Sequence, residues 1–172
     1  MSEVLEKMQT RRSIRRYKSD MVPKDVIEKI VEAGTFAASG MNLQTPVIVA
    51  VTNKEIRDKM AKANAQVMGS ENDPFYGAPV VLVVLAEKKG TYVYDGSLVM
   101  GNLMLAAHEL GIGSCWIHRA KEVFEQEEWK QWLKSLGLNG DYEGIGNCVL
   151  GYVDGEYPGI LSRKEERVYF VD

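Results

Sequence analysis

Much that would identify a protein quickly is scarce in these 172 residues. There are two cysteines, Cys115 and Cys148, and two histidines, His108 and His118. Neither type recurs at metal-ligand or CxxC spacing, so a metal centre or a dithiol redox site receives no support. Both cysteines lie in strand-like apolar stretches and are read as reduced core thiols rather than as a disulfide. No apolar run exceeds Val80–Ala86, against the roughly 18–20 residues of a membrane-spanning helix. The opening MSEVLEKMQTRR is charged where a secretion signal would be apolar, which gives the cytoplasm as the expected location. Walker, GxGxxG and HExxH motifs are missing, as is a Ser-His-Asp order. No repeat, low-complexity tract or linker divides the chain, so residues 1–172 are expected to form one domain.

What is present is ordinary in bulk and unusual in placement. Apolar residues make up 45% and charged residues 26%, a globular balance that excludes a disordered chain. The net charge is −3 and the pI about 5.5, which argues against a nucleic-acid-coating protein. Yet Arg11, Arg12, Arg15, Arg16 and Lys18 fall within eight consecutive residues.

Periodicity supplies the elements. Residues 2–10 read as a short helix capped by Ser2, and 23–37 as a helix opened by Pro23 with Val26, Ile27, Ile30 and Val31 on one face. VIVAVT at 47–52 is a β-branched strand, and Asn53 caps a helix running to about Met68. PVVLVVLA at 79–86 is apolar throughout, as a strand covered on both faces should be. Residues 94–110 form a helix apolar almost all round, suited to a core or a subunit interface. SCWI at 114–117 is a strand, 121–136 a helix anchored by Phe124, Trp129, Trp132 and Leu133, and 145–153 a buried strand. RVYFV at 167–171 reads as a last short strand. Helices and strands interleaved in this way predict an α+β sandwich around a central mixed, mainly antiparallel sheet.

Three segments can carry chemistry. RRSIRRY at 11–17 places Arg11, Arg12, Arg15 and the Ser13 hydroxyl within five residues, a set suited to gripping phosphate or carboxylate oxygens. A solvated basic face is the plainer reading of such a run, but the acidic remainder of the chain makes local anion capture its equal. ASGMNLQTP at 38–46 carries Ser39, Asn42 and Gln44 beside Gly40, which permits close backbone approach to a ligand. GIGSCWIHR at 111–119 ends a helix and begins a strand, with His118 just beyond it. His108, inside the apolar helix, reads as structural.

Taken in order, these segments resemble the nitroreductase family of FMN-dependent oxidoreductases. RRSIRRY is similar to that family's Arg-x-Ser-x-Arg flavin segment, and AASGMNLQTP to its Ser-x-x-Asn-x-Gln loop. Asp95 to Ile117 resembles its long central helix and following strand, and GYVDGEYPGILSRKEERVYFV its C-terminal segment. The resemblance implies an intertwined homodimer with two flavin sites at the interface. It places Arg11, Arg12 and Ser13, helped by Arg163, at the FMN phosphate and ribityl chain, and Arg15 at the flavin pyrimidine near N1. The backbone around Ile117 and His118 would lie by the edge bearing N5, Cys115 and Trp116 would also contact the cofactor, and Ser39, Met41 and Asn42 would reach the flavin held mainly by the other subunit. Hydride would pass from NADH or NADPH through the flavin to a nitroaromatic or quinone in ping-pong fashion, with no side chain required as general acid or base. A flavin-binding module for storage, delivery or sensing is the alternative. The chain departs from the family pattern at Gly101, where a Gln is common. It also has little room for extra pocket-walling helices, which leaves the pocket either open or shaped by the 69–77 loop.

Overall fold

Small polar residues cap two of the helices, and the pattern of buried side chains decides where each element lies. The computed structural model describes residues 2–172. Helix α1 (Glu3–Thr10) is capped by Ser2, whose Oγ accepts from the Leu5 amide at 3.5 Å. Helix α2 (Lys24–Thr35) follows Pro23, which sits in extended backbone one position before the helix. Strand β1 (Pro46–Val51) leads to α3 (Lys54–Met68), capped by Asn53 through a 3.0 Å bond from the Ile56 amide and closed by Gly69 at φ 65°. Then come β2 (Val80–Glu87), α4 (Tyr92–Glu109), β3 (Gly113–Ile117), α5 (Ala120–Phe124), α6 (Glu127–Ser135) and β4 (Tyr142–Gly151).

The strands form one sheet in the order β1-β2-β4-β3, every neighbour antiparallel. Side chains alternate between the two faces of a strand, and β2 shows the consequence. Val81, Val83 and Leu85 join Met60, Phe75, Phe124 and Trp129 on the face covered by α3, α5 and α6. Val80, Leu82 and Val84 join Ile30, Met100 and Leu103 on the face covered by α2 and α4. Every residue from Val80 to Ala86 has no exposed surface, as the uninterrupted apolar run requires. The same alternation separates the thiols: Cys115 lies on the α3 face and Cys148 on the α4 face, and both are free.

A bulge sharpens the packing. The β2–β4 register jumps between Val84 and Leu85, leaving Ile145 as the extra residue of β4. Ile145 fills the notch at Gly96 of α4, where a Cβ would stand 2.6 Å from its side chain. The first turn of α4 is thereby fixed against the sheet.

Two expectations are corrected. The helix expected over 121–136 is broken at Glu125–Gln126, with Gln126 in extended backbone as the cap of α6. Phe124 and Trp129, five residues apart, would point to different sides of one helix; the break lets both bury, at 1% and 2% exposure. The strand expected at 167–171 is extended chain with no ladder partner among the described residues, and Val168 to Val171 are 70–96% exposed.

Candidate cofactor site

Strand β3 is an edge strand; Ser13 and Ile14 pair with its outer side, and Tyr17 and Lys18 then pair with the chain that leaves β4. Ser13 pairs in parallel with Ser114, and the Ile14 amide donates to the Ser114 carbonyl at 2.9 Å. Further on, Tyr17 pairs with Val153 and the Lys18 amide donates to the Tyr152 carbonyl at 2.9 Å. The hydrophobic side chain at Ile14, 2% exposed, anchors the segment. Of the flanking arginines, Arg15 and Arg16 are exposed whereas Arg12 is buried.

The charges there are largely uncompensated. Arg16 pairs with Asp154 at 2.9 Å, but among the described residues Arg11, Arg12 and Arg15 face no carboxylate within salt-bridge distance. Arg12 is 8% exposed and spends its donors on main-chain carbonyls of Gln9, Arg11 and Gly159, while its Nη2 is buried without an acceptor. A buried cation without an anion is costly, so this edge is preorganised for a negatively charged group. Burial raises the pKa of the Cys115 thiol, which donates to the Trp116 carbonyl at 3.7 Å, despite the neighbouring Arg15. Burial likewise pushes the Cys148 thiol up to about 12. Neither thiol is a nucleophile near neutral pH.

Beyond the arginines, the end of β3 opens into a cavity of about 350 Å³ lined by Arg15, Cys115, Trp116, Ile117 and His118. That is within the range of small-molecule sites. Met68, Pro74 and Tyr76 close its far wall and Arg119 its rim. The wall is held by a residue that periodicity did not single out. Arg57, 7% exposed, donates to the Ala78 carbonyl at 2.9 Å and to Asp73 at 2.6 Å, and its guanidinium lies 5.5 Å from the Phe75 ring centroid. Asp73 in turn accepts from the Phe75 and Gly77 amides at 2.8 and 2.9 Å. An arginine on a polar helix reads as solvated, so its burial was invisible without the loop that folds over it. Of the two alternatives for the pocket, the 69–77 loop shapes it. Asn64, by contrast, is fully buried and accepts from Asn147 at 3.4 Å, while Gln66 and Asn72 line a different hollow on the outer side of α3.

The second candidate segment lies elsewhere. Ser39, Met41 and Asn42 precede β1, at the opposite edge of the sheet from β3. Three inter-strand spacings, about 14 Å, separate the two edges. The Ser39 hydroxyl accepts from the Gln44 amide at 3.1 Å, Asn42 accepts from the Gln44 side chain at 2.9 Å, and Met41 is 83% exposed. Buried Asp95 of α4 pins this loop, accepting from the Gly40 amide at 3.1 Å and the Thr91 hydroxyl at 2.9 Å. Gly40 is required because a Cβ would meet the Thr91 hydroxyl at 2.1 Å. Arg163 lies in the exposed C-terminal arm and, among the described residues, forms no ion pair.

Backbone strain marks both places. Of six non-glycine residues with positive φ, Met41, Asn42 and Gln44 fall in the 38–46 loop, and Tyr76 and Arg119 border the cavity. Such conformations cost about 1–3 kcal/mol each and persist where a site requires them.

The sequence model of the Nitroreductase family matches residues 8–75 and 64–152. The chain belongs to the nitroreductase family. Among its relatives, a protein of Archaeoglobus fulgidus named as an NADH dehydrogenase/NAD(P)H nitroreductase is 34% identical over 88% of this chain and 86% of its own length. One of the same name from Methanothermobacter thermautotrophicus is 32% identical over 66% of this chain but only 60% of its own length. A Bacteroides fragilis nitroreductase solved with bound FMN is 31% identical, superposes with a TM-score of 0.88 and is covered in full, as is this chain. A Desulfitobacterium hafniense nitroreductase with bound FMN gives the same TM-score at 26% identity, again over the whole of both chains. The nitroreductase fold expected from the motifs is therefore the fold observed. No helix among the described residues is long and apolar enough to cross a membrane.

Proposed function

We propose that this nitroreductase-family chain is an FMN-dependent oxidoreductase that uses NADH or NADPH to reduce a nitroaromatic, quinone or similar small acceptor. The observation that carries the reading is the convergence of Arg11, Arg12, Ser13 and Arg15 with Cys115–His118 along one sheet edge, opening into a shaped cavity. The donor set fits a phosphorylated flavin. Three guanidiniums lack carboxylates, and the orphaned Arg12 Nη2 needs an anionic or carbonyl acceptor. Arg11, Arg12 and Ser13 would hold the phosphate end, with Arg163 closing on it from the arm, and Arg15 would face the pyrimidine. Cys115, Trp116, Ile117 and His118 would flank the redox edge. FMN, when bound, supplies the hydride-accepting and hydride-donating centre between pyridine nucleotide and acceptor in a ping-pong cycle. The chain's own part is to orient, to exclude water and to place the Arg15 cation where negative charge gathers on reduction.

The functional unit in this reading is an intertwined homodimer of two FMN-binding domains, each spanning 1–172. Ser39, Met41 and Asn42 stand too far across the sheet to serve the same chain's cavity and would serve the partner's. The outer face of α4 supports this, with Tyr94 74% and Leu98 51% exposed. So do the open edge of β1 and the apolar arm. A cytoplasmic setting follows from the reliance on NAD(P)H.

The test is spectroscopic. Purified protein, reconstituted with FMN if necessary, should be yellow and should bleach anaerobically with NADH or NADPH. A protein that takes up no FMN would overturn the proposal, and bound flavin that neither nucleotide reduces within minutes would favour a binding module instead.

A further inference from the structure

His108 lies outside the cavity, near the end of α4, yet it joins three separate segments. Its Nε2 is 2.8 Å from the Thr10 hydroxyl at the end of α1. Its Nδ1 is 3.1 Å from the Tyr157 hydroxyl in the root of the C-terminal arm. The two rings stack at 5.5 Å with 23° between planes. The direction of each hydrogen bond can be assigned. Thr10 donates its hydroxyl proton to the Glu6 carbonyl at 2.8 Å, so toward His108 it can only accept. Nε2 therefore carries the ring proton and Nδ1 is an acceptor. Tyr157 donates to Nδ1 and, through its oxygen, accepts from the Arg12 amide at 3.0 Å. A second tie completes the junction, from Arg12 Nε to the Gly159 carbonyl at 3.0 Å.

We propose that His108 and Tyr157 are positioning residues forming a latch that fixes the root of the C-terminal arm on the Arg11–Ser13 segment, so that arm docking and cofactor retention rise and fall together. The second half rests on the FMN reading above; the latch itself does not. The chain of donors closes only with a neutral imidazole. Protonation would turn Nδ1 into a donor, leaving the Tyr157 proton without its acceptor. The surroundings oppose that proton. Burial comes first, then Lys7 of α1, Arg11 and Arg12, all of which hold the His108 pKa below its usual 6.5, against Glu109 alone, which is itself paired with Lys7 at 3.2 Å. The sign follows: an unfolded histidine takes its proton near 6.5 and the folded one only at lower pH. The latch's contribution is therefore complete above that value and is lost as pH falls through the folded pKa.

Exchange of the Arg12 amide, which donates to the Tyr157 hydroxyl, corrected for intrinsic rates, tests this in the apo-protein. Wild type should protect it at about pH 7.5 and lose about tenfold of that protection by about pH 5.5. Tyr157→Phe, at a half-exposed position, should lose it at both pH values. His108→Phe, which keeps an aromatic ring for stacking, should lose both the protection and its pH dependence. FMN affinity, read by quenching of flavin fluorescence, should weaken about tenfold in Tyr157→Phe. Unchanged protection in Tyr157→Phe, or a pH dependence surviving in His108→Phe, overturns the latch. Lost protection with undiminished FMN affinity overturns the coupling. If wild type binds no FMN while the exchange behaves as stated, the latch stands and the cofactor reading falls.

Discussion

The two edges of the sheet are built on opposite terms. At β3 the chain meets its own edge: Ser13 and Ile14 pair with it, Ile14 is buried there, and Arg15 lines a formed cavity at its end. At β1 nothing among the described residues pairs with the outer side, and the adjacent loop is strained, polar and exposed. An uncovered edge strand invites pairing with another chain. The unmatched supply on the same molecule is the arm, where Val168, Tyr169, Phe170 and Val171 lie open to solvent. In the dimer proposed above, one edge would be a half-site and the other a socket for the second chain, which would join the two groups of candidate residues that a single chain holds apart.

The largest effect should come from removing the arm beyond its root. Deleting residues 160–172 leaves Tyr157 and Gly159 in place but removes six exposed large apolar side chains. At about 1.5–3 kcal/mol for each one buried in a partner, the dimer should dissociate more than about a hundredfold more readily, as read by sedimentation. A truncated protein that remains dimeric at low concentration would show that the arm is not what fills the socket. Next is Gly146→Ala on the closed side. Its Cβ would lie 2.5 Å from Trp116 Nε1, so denaturant unfolding should show a loss of about 1–3 kcal/mol. Arg15→Ala should keep FMN but slow its reduction by NAD(P)H about tenfold, equivalent to about 1.4 kcal/mol of lost charge stabilisation. Stopped-flow rates matching wild type would remove Arg15 from that role. Smallest is Gly101→Ala on the outer face of α4, where a new Cβ meets nothing within 4 Å. In solvent it should stabilise the helix by up to about 1 kcal/mol. If a second α4 packs there, the same change should instead loosen the dimer.

How far the residues themselves foretell this arrangement depends on whether the information is local. Ser2 and Asn53 cap where they should, because a cap needs only its own next three residues. The run at 80–86 announces a doubly covered strand, since its covering is written in its own composition. RRSIRRY and SCWIH are legible as motifs, but their meeting along β3 depends on strand order, which no local pattern encodes. Arg57 escaped notice because its partners lie in a loop folded back from 16 and 21 residues away. Asp95 was visible only as part of a motif; its hold on Gly40 spans 55 residues. RVYFV has strand chemistry without a strand: β-propensity measures fitness for a ladder, and the segment pairs with none among the described residues.

The order of the strands has a further consequence, for how the chain is made. β4 sits between β2 and β3, so until it is synthesised β3 has no neighbouring strand beyond the Ser13–Ile14 bridge and β2 has only β1. The most apolar segment of the protein therefore waits, one edge open, for a strand some 55 residues downstream. Pairings that close so late are slow to form and exposed to aggregation in the interval. Ile145 then enters the notch at Gly96 together with the strand that carries it, so the register of the final pairing and the seating of α4 are completed in one step.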